Sequence, residues 1–360
     1  TLILISGATG FVGSALTQHL HQQGQTLTAA VRGITDNLPP SIQQIPIGDL
    51  LPDTDWTPTL HNVDTIIHLA ARVHVMHDTA TDPLTEFRRT NTAATLNLAQ
   101  QAADAGVRRL IYLSSIKVNG ESTAPGQPFT AEETPPNLPL SGEGQETASS
   151  LHSSPDKGRP GGVSSKAATL DPYGQSKQEA EQGLREIAQK TGLEVVIIRP
   201  PLVYGVGVKA NFHNMMHWLH KGIPLPLGNI HNQRSLVALP NLIDLITTCI
   251  DHPAAANQTF LVSDGEDLST TELLQRLSHA LGKPARLLPI PQSWLETALT
   301  LVGKRAIAQR LCGNLQVDIS KTRDLLGWTP PVSVDAALRQ TAQAYLQNLS
   351  KPKLDKPHKQ

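Results

Sequence analysis

Leu2-Ile3-Leu4-Ile5-Ser6-Gly7-Ala8-Thr9-Gly10-Phe11-Val12-Gly13 is the stretch that decides the fold. Its first four residues are β-branched or leucine, without a polar interruption. A strand buried on both faces of a parallel sheet requires such a run. The run enters glycines spaced G-x-x-G-x-x-G, and apolar residues then recur in helical fashion at Leu16 and Leu20. Strand, glycine turn and helix in this order make a dinucleotide site. The glycines permit a tight turn and let the backbone approach a pyrophosphate at the helix N-terminus.

Outward from this stretch, strands alternate with helices. Strands are expected at residues 2–6, 27–31, 65–69, 109–114 and 194–199, with helices over 83–105 and from Pro172 or Tyr173 to about Lys190. This rhythm predicts an α/β, Rossmann-type, doubly wound parallel sheet. Thr191-Gly192 reads as a glycine stop for the second helix. Ser269-Thr270-Thr271-Glu272 reads as a capping box opening a helix through Leu281.

Within Asp171-Pro172-Tyr173-Gly174-Gln175-Ser176-Lys177, a tyrosine and a lysine stand four residues apart. On a helix they share one face. A phenol is a poor acid or base at neutral pH, its unperturbed pKa being about 10. A nearby ammonium favours the phenolate and should draw that pKa down. The pair is therefore suited to moving a proton on or off an alcohol oxygen.

Together, the glycine spacing and the Tyr-Lys pair resemble the extended short-chain dehydrogenase/reductase family. Within it the chain is most similar to the NAD-dependent epimerase/dehydratase group, UDP-glucose 4-epimerase-like. His68-Leu69-Ala70-Ala71 looks like the family's segment beside the cofactor, and Gly48-Asp49-Leu50 like its adenine-contacting Asp. Leu113-Ser114-Ser115-Ile116-Lys117-Val118-Asn119-Gly120 looks like the catalytic-serine strand. Arg199-Pro200-Pro201-Leu202-Val203-Tyr204-Gly205 looks like the segment that passes the nicotinamide.

The resemblance implies roles. Tyr173 is the general acid/base, Lys177 holds the nicotinamide ribose and depresses the Tyr173 pKa, and Ser115 bonds the substrate oxygen. Ser114 is the alternative, since neighbours in a strand face opposite ways. Asn91 falls where the family keeps an asparagine; its other reading is a polar residue bonding backbone at a helix interface. Cofactor contacts are implied for Gly7, Thr9, Gly10, Phe11, Val12, Gly13, Asp49, Leu50, Leu69, Ala70, Ala71, Ser114, Tyr173, Lys177, Pro200 and Val203. Substrate contacts are implied for Ser115, Asn211 and Arg234, with Arg234 on a diphosphate. Lys117 could reach the sugar or stand in solvent.

The second strand ends Ala29-Ala30-Val31-Arg32-Gly33, without the acid that grips a ribose 2′-hydroxyl in NAD enzymes. Arg32 could pair with a 2′-phosphate, so NADP(H) is favoured within NAD(P). The family's 4,6-dehydratases carry acids where Ile116 and Lys117 stand, so water elimination is not expected. The reading is a nucleotide-sugar epimerase or 4-keto-reductase acting at C4 of a UDP-hexose or UDP-N-acetylhexosamine. Alternatives are a hydroxysteroid-type dehydrogenase, which would want an apolar lobe, and a non-catalytic NADP-binding regulator, which would lack the Tyr-Lys pair. The family also implies a homodimer.

Composition narrows the rest. The 360 residues carry 30 basic and 31 acidic side chains, which gives no reason to expect nucleic acid or an anionic membrane as partner. Cys249 and Cys312 are far apart and lack metal or redox spacing, which fits a reducing, cytoplasmic setting. His213, His217 and His220 lack a carboxylate or cysteine partner pattern and read as helix surface, so no metal is expected. The start at Thr1 reads as trimmed, with no signal peptide visible and no apolar run long enough to span a bilayer.

The domain organisation read from these cues is a dinucleotide domain over 1–200 with a return segment at about 236–262. A substrate lobe takes 201–235 and 263–346. Residues 141–169, rich in Ser, Gly, Lys and Glu, read as a disordered insertion, and 350–360 as a frayed tail.

Overall fold

A computed structural model describes residues 1–73, 82–132 and 170–350. The expected insertion at 141–169 and the tail beyond Ser350 lie outside these residues. Strands are β1 (Leu2–Ser6), β2 (Thr26–Val31), β3 (Gln43–Pro46), β4 (Thr65–His68), β5 (Arg109–Leu113), β6 (Glu194–Arg199), β7 (Leu202–Tyr204), β8 (Arg234–Ala238), β9 (Thr259–Leu261) and β10 (Asp267–Leu268). The helices of the first half are α1 (Phe11–Gln22), α2 (Thr57–Leu60), α3 (Pro83–Phe87), α4 (Ala94–Asp104) and α5 (Pro172–Lys190). They continue with α6 (Ala210–His220), α7 (Leu239–Asp251), α8 (Thr270–Ala280), α9 (Gln292–Leu301), α10 (Arg305–Cys312), α11 (Ser320–Leu326) and α12 (Val334–Ser350).

Seven parallel strands form the main sheet in the order β3-β2-β1-β4-β5-β6-β9. The order reverses between β1 and β4, and the crevice at such a switch point is where an open α/β sheet binds its ligand. Ile3, Leu4 and Ile5 of β1 are fully buried, as a strand covered on both faces must be. A smaller sheet, β10-β8-β7, pairs β7 and β8 in parallel and β8 and β10 antiparallel.

The segment 236–262 divides between these layers. β8 joins the small sheet, while α7 packs on α1 and β9 extends the main sheet. The later chain is also shared. Leu315, Val317, Ile319, Leu326 and Trp328 pack into the core of the main sheet. Phe129 and Ser235 both bond this stretch through backbone, Phe129 N to Gln316 O and Ser235 N to Leu315 O, at 2.8 Å each. Trp328 Nε1 donates to Asp244 Oδ2 of α7 at 2.8 Å. A sequence reading that gave all of 263–346 to the lobe misses this, because burial of these residues depends on strands far away in the chain.

Local differences have local causes. The expected helix 83–105 carries a π turn at Arg88–Ala93 between α3 and α4. α5 does not end on a left-handed glycine. Thr191 takes extended backbone, and both its amide and its Oγ1 donate to Ile187 O. The capping box of α8 forms as its pattern predicts: Glu272 N donates to Ser269 Oγ at 3.1 Å, and Ser269 N to Glu272 Oε2 at 2.8 Å. Among the described residues no helix is long and apolar enough to cross a membrane.

Candidate active site

The glycine turn is a cradle that side chains would fill. Gly7 has φ +77°, and a Cβ there would lie 2.7 Å from Ala70 N. A Cβ on Gly13 would lie 1.9 Å from Gly7 O, so α1 can start against the turn only if residue 13 is glycine. Gly10 caps α1 without a side chain, and the first turn of α1 carries no acid. The positive end of α1 thus starts at Gly10, beside the crevice, as a pyrophosphate needs.

In front of this turn lies a cleft of about 730 Å³. It brings together Gly7, Thr9, Gly10, Arg32, Asp49, Leu50, Leu69, Ala70 and Ala71 from four separate stretches of chain. Phe11 and Val12 lie in the first turn of α1 and pack toward the core behind the cleft. Arg72, Glu86, Arg89 and Thr90 close the far wall. Sequence reasoning missed these four, because no local pattern tells that the π turn and the chain after β4 meet there. The cleft is the size and shape of a small-molecule site, and the glycine cradle fits a dinucleotide.

The second group of residues gathers at the start of α5. Asp171 caps the helix, its Oδ1 accepting from Gly174 N at 2.7 Å, and Pro172 takes a first-turn position that needs no amide. Tyr173 follows, packed edge-on against Phe87 at 5.9 Å. Lys177 is buried one turn later, with Nζ 6.0 Å from the Tyr173 ring and 4.4 Å from the Tyr112 ring. Its ammonium donates to Leu113 O at 2.9 Å.

The expected depression of the Tyr173 pKa is reversed in the structure. Burial first, and the Asp171 charge second, push this phenol up to about 12. Burial also draws Lys177 down to about 7, so at neutral pH its own charge is only partial and its pull on the phenolate is weakened.

Ser115 and Ser114 face opposite ways, as strand neighbours should. Ser115 ends the strand in extended backbone and its Oγ accepts from Lys117 N at 3.3 Å. Ser114 is buried, and its Oγ donates to Glu181 Oε1 at 2.6 Å. Its hydroxyl is thus bonded to a core carboxylate, while that of Ser115 is not. Glu181 in turn accepts from Arg199 Nε and Nη2 at 2.9 and 2.6 Å, and both side chains are fully buried.

Asn91 sits on the π turn, buried. Its Oδ1 accepts from Arg72 N at 2.8 Å, while its Nδ2 donates to Arg72 O and to Ser176 Oγ. It fastens the chain after β4 to α5. Pro200 is buried beside this group, its carbonyl accepting from Ile116 N at 3.0 Å, and Val203 is half-buried in β7.

On the lobe, Arg234 is half-buried and donates from Nη1 to Gly313 O at 3.0 Å. Burial, and then the nearby Arg310, hold its pKa below the usual guanidinium range. Two guanidinium groups within reach of each other suit a diphosphate. Asn211 is exposed at the start of α6, next to Ala210 at φ +53°, a conformation rare outside glycine.

Of the α6 histidines, His213 is exposed, as a helix surface reading expects, while His217 and His220 are half-buried. His213 and His220 set their rings edge-on to Tyr345 at 5.4 and 6.0 Å. Among the described residues no group of His, Cys, Asp or Glu is placed to hold a metal. Cys249 and Cys312 are buried free thiols.

The model of the NAD dependent epimerase/dehydratase family matches residues 3–142 and 147–263. A UDP-glucose 4-epimerase of Vibrio cholerae is 46% identical over 347 residues, covering 96% of this chain and 95% of its own length. Among solved structures, the UDP-N-acetylglucosamine 4-epimerase of Bacillus cereus superposes with a TM-score of 0.70 at 19% identity, covering 96% of this chain and 98% of its own. The UDP-glucose 4-epimerase of Thermotoga maritima, solved with UDP-glucose, gives 0.69 at 20% identity, covering 97% and 100%. At such identities these structures speak for the fold.

Proposed function

Because the chain belongs to the NAD dependent epimerase/dehydratase family, we propose that it inverts C4 of a UDP-hexose or UDP-N-acetylhexosamine. The observation that carries this reading is the 46% identity to a UDP-glucose 4-epimerase, which extends through 96% of the chain. Ile116 and Lys117, in place of the dehydratase acids, support epimerisation over water loss.

Gly7, Gly10 and Gly13 with the start of α1 would hold the dinucleotide pyrophosphate. When bound, the nicotinamide supplies hydride acceptance from C4 and its return. Tyr173 takes the proton of the C4 hydroxyl and gives it back. Ser115 bonds the same oxygen, and Lys177 bonds the nicotinamide ribose. Asn91, tied to Arg72 and Ser176, positions these groups. Arg234 holds the diphosphate, and Asn211 approaches the sugar.

Incubation with UDP-glucose and with UDP-N-acetylglucosamine, followed by NMR at the sugar C4, tests the function. Appearance of the C4 epimer without added reductant is the expected result. Net reduction that consumes NADPH would overturn it.

Within NAD(P), Arg32 is the residue we assign to a 2′-phosphate. It lines the cleft at the end of β2, where no acid stands. Nucleotide released on denaturation is then expected to be NADP(H). Arg32→Ala should weaken NADP(H) binding by about tenfold while sparing NAD. Stoichiometric NAD in the released pool would remove the Arg32 assignment and leave the epimerase intact.

A homodimer through the helix that carries Tyr173, acting in the cytoplasm, completes the proposal. The family resemblance supports the first and the two buried free thiols the second.

A further inference from the structure

Lys117 stands two residues beyond Ser115, and its ammonium meets the Asp171 carboxylate at the N-cap of α5. Both side chains are sheltered, 27% and 19% exposed, so the pair is screened less than a surface pair. A continuous run of bonds results. Ser115 Oγ accepts from Lys117 N, Lys117 Nζ donates to Asp171 Oδ2, and Asp171 Oδ1 accepts from Gly174 N. The run starts at the proposed substrate-binding hydroxyl and ends in the helical turn that carries Tyr173. Gly174 makes the approach possible, since a Cβ there would fall 3.0 Å from Lys117 O and 3.3 Å from Lys117 Cβ.

We propose that Lys117 is a positioning residue for the reaction. Through Asp171 it fixes Ser115 relative to Tyr173, and it screens Tyr173 from the Asp171 charge. This rests on Tyr173 being the acid/base.

The groups that face Tyr173 can be named. Asp171 comes from the cap, Lys117 from the turn after β5 at 5.9 Å from the ring centroid, and Lys177 from the next turn of α5 at 6.0 Å. Tyr112 faces it from β5, and the uncharged Phe87 from α3, with Arg72 beyond Phe87 at 5.7 Å. Glu121 is the outer partner of Lys117 at 3.6 Å, half exposed. Asp171 raises the phenol pKa, and its contact with Lys117 opposes that field. Without Lys117 only Lys177 is left near the ring to oppose the Asp171 charge on Tyr173.

The test is a set of variants: Lys117→Met, Lys117→Arg, Asp171→Asn and the double variant Lys117→Met with Asp171→Asn. Two readouts are taken, the pH dependence of kcat and KM, and tyrosinate absorbance of the nucleotide-saturated protein minus that of its Tyr173→Phe counterpart. In Lys117→Met, kcat should fall by about 10-fold or more with KM changed less than about threefold, because the loss is one of orientation. Its phenol should titrate higher than in the wild type. Adding Asp171→Asn should bring the titration back, and Lys117→Arg should keep most of the activity.

A kcat loss with an unmoved Tyr173 titration would show a merely structural contact and overturn the proposal. So would an unchanged kcat in Lys117→Met. The absorbance readout needs no substrate. A wild-type protein that fails to epimerise any UDP-sugar therefore rejects the epimerase reading alone, while the titration still decides the role of Lys117.

Discussion

Tyr173→Phe is expected to lower C4 epimerisation by about 10²–10⁴-fold while leaving nucleotide affinity within about twofold. The change removes one oxygen and nothing else. The ring can keep its edge contact with Phe87, so the first turn of α5 stays packed. The dinucleotide cleft is lined by the turns after β1, β2, β3 and β4 and by the π turn, none of which carries Tyr173. Steady-state epimerisation and nucleotide titration on the same preparation check both halves. Retention of more than about a tenth of the wild-type rate would remove Tyr173 as acid/base.

The raised phenol pKa adds a sign to this expectation. A group held at about 12 is protonated at neutral pH, and the fraction present as the base grows about tenfold per pH unit below that value. The wild-type rate should therefore climb from pH 6 to pH 9. A falling or flat profile across this range would mean that another group, or another step, limits turnover.

Glu181→Gln is expected to cost about 3–5 kcal/mol of stability, the range for breaking a buried ion pair by removing one partner. Glu181 and Arg199 are both fully buried, and two guanidinium nitrogens converge on the one carboxylate. The Arg199, Arg185 and Ser114 contacts together outweigh burial and hold the Glu181 carboxyl below its ordinary range. An amide of the same size cannot supply the charge, and one of its two polar ends is a donor facing other donors. Chemical denaturation measures the loss. Replacing Glu181 by Leu and Arg199 by Met together should recover stability relative to Glu181→Gln, because the pair is then removed rather than broken. A loss under about 1 kcal/mol in Glu181→Gln would mean that the pair contributes as little as a solvated one.

The features legible in the sequence are those whose cause is local. Gly13 is demanded by Gly7 O six residues away, the α8 capping box spans four residues, and the Tyr173–Lys177 spacing is a helical repeat. Where the cause is distant, the sequence is silent or misleading. Lys177 was expected to lower the Tyr173 pKa, but burial under β5 strips Lys177 of much of its charge, and Asp171 acts in the opposite direction. Ser114 and Ser115 are adjacent and chemically alike. The two differ because Glu181, 67 residues from Ser114, occupies one of them. His220 reads as surface until Tyr345 of α12 is brought beside it.

The late stretch from Leu315 to Trp328, shared between both sheets, bears on how this architecture could be recombined. A chimera that grafts the lobe of a relative onto this dinucleotide module at a single late crossover would import foreign side chains into the wall of the main core. It would also exchange the partners of Phe129, Ser235 and Asp244 at the same time. Wholesale exchange of the C-terminal third would therefore disturb the host core along with the lobe. A graft meant to keep the host fold should retain the host sequence from 315 to 328 and take only what lies on either side of it.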